Sequence, residues 1–201
     1  IGEATVDMSA AMTVFELSDL SSREELRSVV LTAIMFLSSQ TMRRIDRQIP
    51  KALLIDEAWQ MLRGGSMADF VETYSRTCRK YGASLITATQ SLNDYYKSEG
   101  SLAALENSDW SVILQQKAET ISDFQKHDRF DMDPYTESSL RSLKRNGVEY
   151  SDIMIKGPDT LAVGRLVLDP FSATLYSSSP VTFGQIEQLI EDGFTMDEAI
   201  E

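Results

Sequence analysis

Two adjacent acids, Asp56 and Glu57, follow a short apolar run in the chain and are its best candidates for chemistry. The run, residues 52–55, contains no turn former and predicts a strand buried on both faces of a parallel sheet. Open α/β sheets bind ligands at the carboxyl ends of their strands. A carboxylate pair there suits a magnesium nucleotide, with one acid holding the water shell of the metal and the next polarising an attacking water. A strand that simply ends at two solvated acids fits the same residues.

Other polar side chains follow predicted elements further along the chain. Residues 83–91 predict a second buried strand that ends in Thr89 and Gln90. The preceding helix carries Arg76 and Arg79, three residues apart, on the face opposite its apolar side. That apolar side recurs at helical spacing and consists of Met67, Phe70, Val71, Tyr74 and Cys78.

The elements that must position these residues alternate between strand and helix. Residues 13–20 predict a first strand, and Ser22 with Glu25 has the spacing of a capping box for the helix that follows. Residues 110–116 predict a fourth strand. This order favours right-handed crossovers, a mostly parallel sheet and the α/β class. The first helix has an apolar face made of Leu26, Val29, Val30, Ala33, Ile34 and Leu37.

The carboxy-terminal part has a looser pattern. Helices are predicted over residues 118–127, 136–145 and 182–191, and Thr195 with Glu198 predicts one more capped helix. Residues 159–177 contain two β-rich runs separated by Asp169 and Pro170, which indicates a β-hairpin. We therefore expect a core domain over residues 1–130, with residues 131–201 as carboxy-terminal helices and a hairpin that complete it or are appended to it.

Composition and charge exclude several classes of protein. No apolar run approaches the roughly 18 residues that a membrane span requires. The single cysteine, Cys78, cannot form an internal disulfide, so a reducing cytoplasm is the expected location. The formal net charge of -12 works against non-specific binding of nucleic acid, although local basic clusters would still permit it.

Three segments together carry a family resemblance. The stretches ALLIDEAW, SRTCRKYGASLITATQS and WSVILQQK resemble the RecA-like motor domain of TraC-like ATPases of conjugative type IV secretion systems. The resemblance is close across residues 51–124. It implies a partial RecA-like P-loop NTPase fold with helices on both faces of the sheet. It also implies that the acids form a Walker B element, in which Asp56 positions magnesium through water and Glu57 activates the hydrolytic water.

The resemblance extends to three further residues. It implies that Gln90 lies near the γ-phosphate of ATP, where an amide can donate to phosphate and orient water. It implies that Arg76 or Arg79 reaches the nucleotide of a neighbouring subunit as an arginine finger, a role that suits a permanently charged planar group. An ordinary polar strand end and a solvated helix face are the alternatives for Gln90 and for the arginines.

The phosphate-binding loop of this family is missing from the sequence. No G-x-x-x-x-G-K-[ST] motif occurs among the 201 residues, whose ten glycines are scattered. We therefore expect the chain to be a carboxy-terminal piece of a longer protein and to be inactive alone, although ATP and magnesium are the expected cofactors of the parent. A degenerate relative that does not hydrolyse ATP is the alternative.

Three functions are compatible with these residues. The first is an ATPase that energises pilus assembly and substrate transfer in conjugative secretion. The resemblance implies that it works as a ring, a hexamer of identical copies, with channel proteins at the cytoplasmic face of the inner membrane. The second is a DNA-translocating coupling-protein type of ATPase, and the third is a non-catalytic assembly domain with a vestigial site.

Overall fold

The computed structural model describes residues 8, 10–20, 22–58, 65–147, 149–177 and 179–200. The chain divides into two compact units, Ile1–Asp109 and Trp110–Glu201. Contacts thus group residues 110–130 with the second unit, whereas the predicted division into domains after residue 130 stays a prediction. Among the described helices, none combines the length and apolar character needed to cross a membrane.

The described residues of the first unit form a two-stranded parallel sheet and three α-helices. Strand β1 (Lys51–Ile55) pairs in parallel with β2 (Ala83–Thr87), with Lys51 beside Ala83 and Ile55 beside Thr87. This pairing requires a crossover, which runs through α2 (Ser66–Thr77) and a short 3-10 turn at Cys78–Tyr81. The elements of this unit are α1 (Glu24–Arg44), β1 (Lys51–Ile55), α2 (Ser66–Thr77), β2 (Ala83–Thr87), a 3-10 turn (Leu92–Tyr96) and α3 (Glu99–Glu106).

The core of the first unit forms where α2 covers the parallel sheet. Val71 is fully buried, and Tyr74 and Cys78 are nearly so, as the helical spacing of these residues predicts. One cluster of buried residues consists of Met35, Ile55, Ala58, Val71, Tyr95 and Ala104. A second consists of Met42, Tyr74, Cys78 and Ala83. The strand that precedes the acids is therefore anchored by Ile55, so its carboxyl end has a fixed position.

The amino-terminal elements differ from the prediction. Residues 13–17 form no strand, and Ser18–Leu20 is a 3-10 turn. A β-branched and aromatic run becomes a strand only where a neighbour accepts its backbone hydrogen bonds, and the described strands of this unit pair with each other.

The first helix also differs from the prediction at its start and in its buried face. It begins after Arg23, which makes no side-chain cap hydrogen bond, so the predicted capping box is wrong. Leu26 and Val29 of the predicted apolar face are 43% and 66% exposed. The buried positions of α1 are Met35, Ser38 and Met42, which belong to its second half, while Leu31 in the first half is partly buried against a core cluster.

The second unit is built on an antiparallel sheet. Its central strand, β5 (Tyr150–Gly157), pairs antiparallel with β3 (Ser111–Ile113), β4 (Arg145–Asn146) and β6 (Thr160–Leu166). The buried side chains of this unit include Phe124, Leu140, Leu143 and Met154. The elements of this unit are β3 (Ser111–Ile113), α4 (Ala118–Lys126), α5 (Pro134–Ser142), β4 (Arg145–Asn146), β5 (Tyr150–Gly157), β6 (Thr160–Leu166), α6 (Pro170–Leu175), α7 (Pro180–Glu191) and α8 (Met196–Ile200).

The α/β class and the carboxy-terminal hairpin are confirmed, but two placements are wrong. The strand predicted over residues 110–116 is β3, and it pairs antiparallel with β5 instead of extending the parallel sheet. Its cross-strand neighbours, Ile155 beside Val112 and Met154 beside Ile113, lie about 40 residues away, so a local pattern does not reveal them.

The hairpin lies one strand earlier than predicted. It is formed by β5 and β6, and it turns between Gly157 and Thr160. At the predicted turn, the Asp169 side chain accepts a hydrogen bond from the Ser172 N–H at 3.0 Å and caps α6, with Pro170 as its first residue. Asp followed by Pro is also a helix-start signal, and here that signal prevails.

The carboxy-terminal helices confirm the sequence prediction to within about three residues. The capping box before α8 is also confirmed. The Glu198 Oε2 accepts from the Thr195 N–H at 2.9 Å, and the Glu198 N–H donates to the Thr195 Oγ1 at 3.4 Å. These bonds satisfy backbone donors at the start of the helix, and they hold the pKa of Glu198 below its usual value.

Truncating the central aromatic residue of the second unit is expected to destabilise it. Phe124 is 0% exposed, so Phe124→Ala leaves a cavity and should lower the free energy of unfolding by about 3–5 kcal/mol. The matched control is Phe183→Ala, because Phe183 is 58% exposed, and its change should stay within about 0.5 kcal/mol. Chemical denaturation measures both variants, and equal losses would contradict the position of Phe124 in the core.

Candidate functional site

The carboxyl ends of the two parallel strands form one edge of the sheet. Asp56 and Glu57 follow β1 directly, and Gln90 lies three residues beyond the end of β2. Two backbone hydrogen bonds continue the pairing past the strands, from the Ala88 N–H to the Ile55 carbonyl and from the Ala58 N–H to the Ala88 carbonyl, each 2.9 Å. The polar residues after the two strands are therefore held side by side.

The structure brings Glu57 and Gln90 into direct contact. The Gln90 Nε2 donates a hydrogen bond to the Glu57 Oε1 at 2.8 Å. The two residues are 33 positions apart in the sequence, and only the parallel pairing of β1 with β2 makes them neighbours. The fold thus brings the acid and the amide together, while their predicted roles at the nucleotide stay predictions.

The backbone at Glu57 turns its side chain toward Gln90. The register of the sheet would place a regularly extended Glu57 beside Thr89, with both side chains on the same face. Gln90, one residue further, belongs to the opposite face. Glu57 instead has φ 50°, in the left-handed region, at a cost of about 1–3 kcal/mol. The Asp56 Oδ1, which accepts the Glu57 N–H at 2.8 Å, helps to hold this turn.

The donor set of the site fits a magnesium ion in part. Carboxylate and amide oxygens are hard ligands of the kind that magnesium takes. Among the described residues, no group of three or more His, Cys, Asp or Glu side chains is placed to hold a metal. Magnesium in nucleotide sites typically uses one or two carboxylates, with substrate phosphates and waters completing its shell. Asp56, exposed beside Glu57, suits such a partial site.

The structure places the two arginines at the other edge of the parallel sheet. Arg76 lies in the last turn of α2, and Arg79 lies in the 3-10 turn that leads into the amino end of β2. The five residues of β2 span about 17 Å at roughly 3.3 Å per residue. The fold therefore does not bring these arginines to the acids of the same chain.

Both arginines are exposed and make ion pairs. The Arg76 Nη2 lies 2.9 Å from the Glu72 Oε1, one helical turn away. The Arg79 Nη2 donates to both carboxylate oxygens of Asp109, at 3.1 and 2.9 Å. Their side chains are 59% and 77% exposed, so surface pairs of this kind contribute little to stability and can be exchanged for another partner.

Sequence reasoning missed a buried carboxylate next to the site. Asp94 is 7% exposed and lies in the 3-10 turn that follows Gln90. It accepts hydrogen bonds from the Thr89 Oγ1 at 2.7 Å and from the Lys97 Nζ at 2.5 Å. Burial raises the pKa of Asp94, but the hydrogen bonds and charge of these partners outweigh it and hold the pKa below its usual value. The available signal was Asp94 with Lys97 at a spacing of three.

Comparisons with known proteins agree with this architecture. A protein-family model described as the TraG P-loop domain matches residues 3–178. Protein TraC of Escherichia coli (strain K12) is 27% identical over 207 residues, which cover 98% of this chain and 23% of TraC. A solved structure of VirB4 of Thermoanaerobacter pseudethanolicus matches with a TM-score of 0.54 at 18% identity, covering 84% of this chain and 42% of that one.

These comparisons bear on the fold and the family. The family match and the similarity to TraC confirm the predicted resemblance to TraC-like proteins. The VirB4 likeness, at 18% identity, concerns the fold alone, and together with the P-loop family match it confirms the partial RecA-like fold. The chain spans 23% of TraC and 42% of the VirB4 chain, so it corresponds to only part of each of these proteins.

Proposed function

Because the chain belongs to the TraG P-loop domain family, we propose that it carries the catalytic carboxylates of a longer ATP-hydrolysing motor. We propose further that this motor energises a conjugative type IV secretion system, in pilus assembly and substrate transfer. The similarity to TraC over 98% of the chain supports the assignment.

One hydrogen bond in the candidate site supports ATP hydrolysis on chemical grounds. The Gln90 Nε2 donates to the Glu57 Oε1 at 2.8 Å, at the carboxyl ends of two adjacent parallel strands. A carboxylate and an amide at this edge are what nucleotide hydrolysis requires, since the first accepts a proton and the second orients water. A vestigial assembly domain would have no need for the strained Glu57 backbone that produces the contact.

Each residue of the site has a distinct task in this proposal. Asp56 holds magnesium through its water shell, and Glu57 accepts a proton from the attacking water. The amide of Gln90 donates to Glu57 through Nε2, while its oxygen can accept a hydrogen bond from the water. Magnesium, when bound, supplies positive charge that offsets the charge on the phosphates.

The arginines act between subunits in this proposal. Arg76 and Arg79 lie at the sheet edge opposite the acids, so either can serve only the nucleotide site of a neighbouring copy. A closed ring meets this requirement, because each copy then presents its arginine edge to the acids of the next. The proposal therefore includes a hexameric ring of identical copies. This ring lies at the cytoplasmic face of the inner membrane and contacts channel proteins.

Nucleic acid is not favoured as a partner. The chain carries a formal net charge of -12, whereas affinity for DNA comes mainly from Lys and Arg that neutralise phosphates. A DNA-translocating motor would show DNA binding that weakens steeply between about 50 and 200 mM salt.

The chain alone is expected to bind no ATP tightly and to show no ATPase activity. A P-loop supplies the backbone N–H groups, the Lys and the Ser or Thr hydroxyl that hold the phosphates of the nucleotide, and no such motif occurs in this sequence. Calorimetric titration with magnesium and ATP measures the binding. The control is the longer protein that includes a P-loop, which should bind and hydrolyse ATP. Micromolar binding by the 201-residue chain would contradict the proposal.

A further inference from the structure

We propose that Thr89 and Asp94 form a positioning pair that holds Gln90 against Glu57. The inference deepens the proposed function and rests on it, since Gln90 matters only if the carboxylate beside it takes part in hydrolysis. The described hydrogen bonds join neither residue to Glu57, so the pair acts through the backbone that carries Gln90. Asp94 belongs to the 3-10 turn Leu92–Tyr96, and Thr89 immediately precedes Gln90 in the sequence.

The pair is built from short, largely buried hydrogen bonds. The Thr89 Oγ1 lies 2.7 Å from the Asp94 Oδ2, to which it donates, and the side chain of Asp94 is only 10% exposed. The same hydroxyl accepts from the Ser91 N–H at 3.1 Å and lies 2.9 Å from the Ser91 carbonyl. The Asp94 N–H donates to the Ser91 carbonyl at 3.0 Å. The Lys97 Nζ donates to the Asp94 Oδ1 at 2.5 Å, so the carboxylate has a charged partner despite its burial. Gln90 lies in the short segment that these bonds close.

A second contact fastens the same turn to the end of β2. The hydroxyl groups of Thr87 and Tyr95 share a hydrogen bond of 2.7 Å, and the Tyr95 OH also lies 3.2 Å from the Thr87 carbonyl. Thr87 and Thr89 are two residues apart, and the side chains of both contact the 3-10 turn. This agrees with extended backbone, in which residues two apart share a face. Gln90, one residue further, is therefore directed to the other side, where Glu57 lies.

The two contacts between the 3-10 turn and the end of β2 have different expected roles. The Thr87 and Tyr95 contact joins the strand itself, which the parallel ladder with β1 already holds. The Thr89 and Asp94 contact lies beyond the last ladder residue and immediately before Gln90. Loss of the second contact should therefore leave the sheet in place and release mainly the peptide that carries Gln90.

Two variants break the pair from opposite sides. Thr89→Val removes the hydroxyl at nearly constant volume, and Asp94→Ala removes the carboxylate that accepts it. In the longer protein, each should lower kcat for ATP roughly 3- to 10-fold, the effect of losing the one hydrogen bond whose loss the two variants share, with KM unchanged. Thr89→Val also removes the contacts of the hydroxyl with Ser91, and Asp94→Ala also removes the bond from Lys97, so a matching effect of both variants identifies the shared bond. The matched control is Thr77→Val, because Thr77 is half-buried on α2 and its hydroxyl, among the described residues, donates to the Thr73 carbonyl one turn earlier in the helix.

Non-additivity separates positioning from a general structural role. On a Gln90→Ala background, Thr89→Val and Asp94→Ala should lower kcat no further, because the group they position is gone. The proposal would be overturned if either variant lowered kcat by the same factor on the Gln90→Ala background as in the unmodified protein. It would also be overturned if either variant changed KM alone. If one of the two variants does not fold, as judged by circular dichroism, the other provides the same cycle.

A measurement without nucleotide tests the pair independently of the proposed ATPase. In the 201-residue chain, the side-chain amide signals of Gln90 in nuclear magnetic resonance spectra should shift and exchange faster with solvent in Thr89→Val or Asp94→Ala. Thr77→Val should leave these signals unchanged. If the longer protein hydrolyses no ATP, the proposed function fails while this result still decides the inference. Unaltered Gln90 signals in folded variants would overturn it.

Discussion

Replacing Glu57 by Gln in the longer protein is expected to slow ATP hydrolysis roughly 100- to 10,000-fold, the usual contribution of a general base. The amide keeps the shape of the carboxylate and an oxygen that can accept from the Gln90 Nε2, which donates to the Glu57 Oε1 at 2.8 Å in this structure. It cannot take a proton from water. Nucleotide binding should therefore stay within about threefold of the unmodified protein, because the lost interaction belongs to the transition state.

Steady-state phosphate release and equilibrium binding of ATP together measure this effect. The matched control is Glu24→Gln, since Glu24 is an exposed acid in the first turn of α1. Its turnover should equal that of the unmodified protein. Normal turnover of Glu57→Gln would remove Glu57 from the mechanism, and a loss of binding without a loss of turnover at saturation would give it a ground-state role instead.

Removing the arginine that acts as a finger is expected to lower ATP turnover roughly 1,000- to 100,000-fold. We expect this effect to operate between copies, because Arg76 and Arg79 lie at the end of the sheet opposite Glu57. Mixing an Arg→Ala protein with a Glu57→Gln protein should therefore restore part of the activity. In a mixed ring, the sites that regain activity are those in which an intact arginine of one copy meets an intact acid of the next.

The Arg→Ala protein and the Glu57→Gln protein, each measured alone, are the controls for the mixing experiment. Each variant, assembled without the other, should be inactive. The Arg79 guanidinium is held by both oxygens of Asp109 in this structure, so a finger role for Arg79 requires that pair to open. Failure of every mixture, with ring assembly verified by light scattering, would show that the arginines only form surface ion pairs.

The strands that carry the candidate residues could be predicted from the sequence because they are locally determined. The apolar run before Asp56 and the helix that ends before Ala83 predict two strands, which the structure has at Lys51–Ile55 and Ala83–Thr87. The predicted burial of both faces is wrong, because Leu54 is 63% exposed and Ile86 is 48% exposed. Gly82, with φ 65°, ends the preceding turn in the left-handed conformation that glycine adopts readily. Two apolar strands joined by a helix pair in parallel, and that pairing brings Gln90 to Glu57.

Features that depend on distant residues could not be predicted. The partner of Ser111–Ile113 is a strand about 40 residues later, and nothing in a three-residue run gives its direction. The first half of α1 has the apolar spacing of a buried face, yet Leu26 and Val29 are exposed, since spacing does not show which surface covers a helix. The burial of Asp94 could not be predicted because it follows from tertiary packing.

The nucleotide retained by Glu57→Gln tests the central claim most directly, namely that Glu57 activates water at a site where Asp56 and the phosphate-binding elements still hold ATP. The longer protein is incubated with magnesium and ATP, separated from free nucleotide, denatured, and analysed by chromatography. The unmodified protein should release mainly ADP, and Glu57→Gln should release mainly ATP, in an amount that matches the number of sites. ADP from Glu57→Gln in the proportion seen with the unmodified protein would contradict the assignment of Glu57.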